Sequence, residues 1–105
     1  MKRQMALIIG TALTLVMAQP QAEDISAGEA IYTQSCAHCH GGSGQGMGSF
    51  PSIAGQDADY IAKRLTQYRA GEKVGPNTPL MAPMATDLSD DDIADLAAYI
   101  STTFE

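Results

Sequence analysis

The stretch CAHCH, Cys36 to His40, packs two thiols and two imidazoles into five residues, and its reading decides what the rest of the chain folds around. Cys-x-x-Cys-His admits a redox dithiol, half of a zinc site, or covalent attachment of haem. A structural zinc ion needs four ligands, usually in two separated pairs. The chain has no Cys or His outside this cluster, and four ligands within five residues cannot surround one tetrahedral ion without strain. A dithiol of the thioredoxin kind sits at a helix N-terminus in a βαβ setting. Here the motif follows a helical pattern and precedes a glycine-rich loop, with no strand-like alternation anywhere. Covalent haem meets each constraint. Two thiols at i and i+3 share one helical turn and can reach two vinyl groups along one porphyrin edge, while the adjacent His40 turns its imidazole to the iron. One motif implies one haem c. His38, between the cysteines, is expected at the surface rather than as a ligand.

The 105 residues suffice for one small domain. Residues 1–22 open with Lys2 and Arg3, run through the apolar MALIIGTALTLVMA, and end in small and polar residues before Glu23. That layout is a secretory signal peptide, cleaved after Ala18 or Ala22, and its apolar run is shorter than the roughly 20 residues a membrane span requires. The expected mature domain, 23–105, is therefore periplasmic, with no membrane span after cleavage. Losing Lys2 and Arg3 leaves four basic against twelve acidic residues, a net charge of −8. So acidic a chain is not a nucleic-acid binder. It suits redox proteins with basic docking patches, whether oxidase, reductase or dehydrogenase. With no Trp and few large apolar side chains, the mature chain also needs a staple, which one buried cofactor supplies.

Helical periodicity appears three times. Ser26 and Glu29 form a capping-box pattern, followed by an inward stripe of Ala27, Ile31 and Tyr32 that leads into Cys36. A helix over about 57–70 carries Tyr60, Ile61, Leu65 and Tyr68 inward, shows Lys63, Arg64 and Arg69 to solvent, and stops at Gly71. A last helix starts at the Ser89 cap, where Asp90, Asp91 and Asp92 suit the dipole, and buries Ile93, Leu96, Ala97, Ile100 and Phe104. Between them, six glycines and a proline over 39–55 and three prolines over 72–88 read as irregular loops. The apolar Phe50 and Ile53 around Pro51 suggest that the first loop packs. The class is all-α.

A low-spin electron carrier needs a sixth iron ligand, and a thioether opposite His raises the reduction potential. Met47 follows His40 by only seven residues and is poorly placed to reach the opposite face; Met81 and Met84 lie far enough along.

The stretches GEAIYTQSCAHCHG, PSIAGQDADYIAKRLTQYRAGEK and MAPMATDLSDDDIADLAAYI, in this order and spacing, resemble the bacterial class I cytochromes c, of the small monohaem type and of each half of the two-domain dihaem type. The resemblance implies a small class I cytochrome c fold, three to four helices wrapped around one covalently attached haem. It implies Cys36 and Cys39 as thioether anchors, His40 and Met81 as axial ligands with Met84 as runner-up, and a Pro51 carbonyl that accepts from the proximal imidazole. Met81 stands seven residues before Leu88 of the L-S-D helix start, the family's ligand position. Gly28 and Tyr99 resemble the partners where first and last helices cross. The implied function is single-electron transfer between redox partners, without a catalytic residue. The alternative is a haem subunit of a larger dehydrogenase, flavin-dependent sulfide or alcohol dehydrogenase for example; a haem sensor or small peroxidase is a third reading, which requires a weak or absent Met bond. With a single haem motif, any pairing of haems requires two copies of the chain, a homodimer.

Overall fold

The computed structural model describes residues 9–12 and 23–105. The leader expected over 1–22 lies outside the described residues, apart from an exposed irregular stretch at 9–12. Helix α1 (Ile25–Ile31) runs through a π-helical segment (Tyr32–Cys36) into α2 (Ala37–His40); α3 (Ala58–Arg69), α4 (Thr78–Ala85) and α5 (Asp90–Thr103) follow. Among the described residues no strand forms, one isolated Met47–Phe50 bridge apart. The architecture is all-α, and no described helix is long and apolar enough to cross a membrane.

Helix α5 is the spine. Ser89 caps it in a full capping box: Asp92 N–H donates to Ser89 Oγ at 3.0 Å, and Ser89 N–H donates to Asp92 Oδ2 at 3.0 Å. Its buried stripe is Ile93, Leu96, Ala97 and Ile100. Phe104 is buried too, but as the residue just past the helix, where its carbonyl accepts from Gly55 N–H at 2.7 Å. Helix α5 packs on α1 on one side and α3 on the other, while α4 lies on α3. At the α1–α5 crossing, Gly28 is buried, and a Cβ there would fall into the Asp95 carbonyl and 2.9 Å from Tyr99 Cβ. Beside it Tyr32, Tyr99 and Phe104 form an aromatic cluster with ring centroids 5.0 to 5.6 Å apart.

Four local expectations need correction. The α1 cap is Asp24, not Ser26: Asp24 Oδ1 accepts from Ala27 N–H at 3.1 Å, and Asp24 N–H donates to Asp95 Oδ1 of α5 at 2.8 Å. That tether to α5 fixes the helix start and leaves Ser26 inside the first turn. In α3, capped by Asp57, the buried face follows Ile61 and Leu65 with Tyr68 half-buried, whereas Tyr60 is 43% exposed beneath the Arg64 guanidinium, 5.4 Å from its ring. One residue turns a helix by about 100°, so Tyr60 cannot share the face of Ile61. Arg69 is not a solvent residue: its Nη1 donates to the Leu88 carbonyl at 3.1 Å and its Nη2 pairs with Asp90 at 2.7 Å, joining the end of α3 to the start of α5.

The largest departure is α4, a helix inside the stretch expected to be irregular. Pro79 stands in the first turn, where no N–H is needed. Pro83 lies inside the helix and takes one bond from it. Burial of Ala85 and packing of Met81 against the core offset that loss, so tertiary contact overrides local propensity.

Candidate cofactor site

The continuous helix from Ile25 to His40 changes its winding where the chemistry begins. Ala37 N–H donates to the Tyr32 carbonyl, five residues back, which inserts one extra residue into the turn before the thiols. Tyr32 thereby stays in the aromatic cluster while Cys36, Cys39 and His40 come out half-buried on the next turn. Both cysteines are free thiols. Burial, with a smaller contribution from Cys39, pushes the Cys36 thiol up to about 11. A redox dithiol needs the opposite, a thiol lowered toward neutrality.

His40 is held from two sides. Its Nδ1 lies 2.9 Å from the Pro51 carbonyl. A carbonyl only accepts, so Nδ1 carries the proton and Nε2 keeps its lone pair for a metal. The His40 carbonyl accepts from Gly46 N–H at 2.7 Å. Gly46 has φ of +77°, and a Cβ there would stand 2.5 Å from the Phe50 carbonyl oxygen and 2.8 Å from the Pro51 carbonyl carbon. Only glycine lets the loop close so tightly over the carbonyl that meets His40. Ile53 N–H to the Gly44 carbonyl, 2.8 Å, ties the loop's far end, and Ile53 packs on the core as the loop composition suggested.

The Tyr32 hydroxyl donates to the Gly41 carbonyl, next to His40. Its pKa is pushed up to about 12, chiefly by burial, then by Cys36 and Tyr99. A folded-state pKa above the unfolded tyrosine value of 10.0 contributes stability that is complete below that value and is lost as pH rises toward 12. Haem-loaded wild-type protein is expected to lose more stability than Tyr32→Phe on going from about pH 9 to about pH 12. Denaturant midpoints at the two pH values check this, and equal losses would count against a buried, hydrogen-bonded hydroxyl.

The three methionines of residues 23–105 differ in setting. Met81 of α4 is half-buried and packed on the core, whereas Met47 and Met84 are each 47% exposed. His38 is exposed. The structure thus gathers Cys36, Cys39, His40 and Pro51 into one helix-and-loop unit and places Met81 on a separate helix. Among the described residues no group of three or more His, Cys, Asp or Glu could hold a bare metal ion. Two thiols on one turn, an imidazole with a free Nε2 and a half-buried thioether are instead the donor set of a covalently held haem, and the residues fit that group. The roles of Tyr32 and Gly46 escaped sequence reading: the first sat in an expected apolar stripe, and the second was one of several loop glycines.

The sequence pattern of the family described as Cytochrome c matches residues 25–104. Over 82 residues the chain is 46% identical to cytochrome c-554(548) of Halomonas halodenitrificans, covering 77% of this chain and 98% of that protein. It is 39% identical over 103 residues to the thiosulfate dehydrogenase electron acceptor of Stutzerimonas stutzeri, covering 89% of this chain but 45% of the other. The fold superposes on Acidithiobacillus ferrooxidans cytochrome c4 with a TM-score of 0.66 at 33% identity, over 81% of this chain and 52% of that one. The chain therefore spans nearly all of one relative and about half of the other two proteins.

Proposed function

Because this chain belongs to the cytochrome c family and is an electron carrier with covalently attached haem c, we propose that it works in the periplasm as a monohaem shuttle passing single electrons between redox proteins. When bound, haem c supplies an iron that alternates between two oxidation states one electron apart. Cys36 and Cys39 are the thiols that would hold the porphyrin, by adding to its two vinyl groups as thioethers. His40 Nε2 and Met81 Sδ are the donors that would hold the iron and would leave it no open site for substrate chemistry. Pro51 holds the proton of His40 at Nδ1, which fixes the ring's tautomer and orientation. That contact, beside two half-buried thiols one turn apart, is the observation that carries the reading.

Residues 1–22 serve as the export leader, and 23–105 as the haem domain. The acidic domain meets basic docking patches on its redox partners. Its likeness to an electron acceptor of thiosulfate dehydrogenase supports a sulfur-oxidising dehydrogenase as one class of donor. The test is the visible spectrum of protein exported together with haem-attachment machinery, before and after acid-acetone extraction. Sharp reduced bands that stay with the polypeptide are expected, and Cys36→Ala with Cys39→Ala together should release the haem into the acetone. A colourless wild-type protein would overturn the reading.

A further inference from the structure

Helix α4 must hold Met81 in place, yet it is poorly equipped to hold itself. Asn77 at its N-cap makes no side-chain capping bond, and Pro79 and Pro83 have no N–H to give. Thr78 is the exception. Its side chain is buried, at 8% exposure, and its hydroxyl makes three hydrogen bonds. Oγ1 accepts from Val74 N–H and from Gly75 N–H, each at 3.0 Å, and donates to the Gly75 carbonyl at 2.8 Å. Thr78 N–H returns to the same carbonyl at 3.2 Å. One side chain thus locks the turn that leaves α3 onto the first residue of α4. Met81 stands three residues on, on the same side of the helix.

We propose that Thr78 is a positioning residue for the iron's thioether ligand: its hydroxyl holds the start of α4 against the 74–75 turn and so sets how firmly Met81 is presented. The inference rests on the reading of Met81 as axial ligand. Thr78→Val keeps the shape but strips two half-buried amides, those of Val74 and Gly75, of their acceptor. Such groups are costly to leave unmade, and the turn regains water only by swinging outward, which frees α4. Thr78→Ser keeps the hydroxyl and the lock.

The experiment uses the haem-loaded full chain in its oxidised form and follows the binding of added imidazole, which reaches the iron only when the sulfur leaves. Thr78→Val should bind imidazole about tenfold faster than wild type, while Thr78→Ser stays within about threefold. Gly28→Ala, which strains the distant α1–α5 crossing, gives the rate that general destabilisation produces. A Thr78→Val rate no higher than that of Gly28→Ala overturns the proposal. If valine does not yield loaded protein, Thr78→Ala takes its place in the same comparison. Met81→Ala separates the two failures: if it keeps the sulfur band and wild-type imidazole kinetics, the ligand assignment is what falls.

Discussion

Met81→Ala abolishes the weak long-wavelength sulfur-to-iron band of the oxidised protein, and Met84→Ala leaves it intact. The expectation follows from packing and spacing together. Met81 is half-buried on the inner side of α4 and stands seven residues before Leu88, while Met84 is 47% exposed. Met47, equally exposed, belongs to the loop that already supports His40. Loss of a thioether ligand also lowers the reduction potential, by on the order of 100 mV or more, since axial ligands command a range of about 0.8 V. The reduced Met81→Ala protein should bind carbon monoxide rapidly without denaturant, as wild type should not. Optical spectra and a potentiometric titration of the three proteins check this, and the reverse pattern would move the ligand to Met84.

Gly28→Ala is expected to destabilise the haem-loaded protein by about 2–3 kcal/mol, the cost of overpacking a closed core. The added Cβ would meet backbone, the Asp95 carbonyl, and not the far end of a flexible side chain. Relief therefore requires α1 and α5 to part. Parting them also disturbs the Asp24 N–H bond to Asp95 and the tilted ring contact of Tyr32 with Tyr99. For a domain of this size the melting temperature should fall by on the order of 10 °C or more. The sulfur band should survive, because Met81 lies on a helix remote from that crossing. A melting temperature unchanged from wild type would mean that the helices cross less closely than the structure places them.

Much of the chemistry was legible early because it depends on short stretches of chain. CAHCH brings its thiols and imidazole together within one turn of helix, whatever the rest of the fold does. The Ser89 cap, the inward stripe from Ile93 to Ile100 and the Asp57 start of α3 are equally local, and each stands in the structure as the residues suggested; the bond that Asp92 returns to Ser89 N–H was not foreseen. The acidic balance and the family stretches likewise needed no coordinates.

Tertiary structure decided the rest. Sequence pointed to Ser26 as the cap of α1, and the bond from Asp24 N–H to Asp95, 71 residues away, put Asp24 there instead. Three prolines argued for a loop over 72–88, and packing on α3 made a helix of its middle, so that Met81 turned inward and Met84 outward. Charge placed Arg69 in water, and the Leu88 carbonyl drew it in. The sequence by itself therefore determined the helical class, the single haem motif and the acidic surface. Caps, burial and the setting of the methionines waited for the fold, because each is a contest between nearly equal local options that one distant contact is enough to settle.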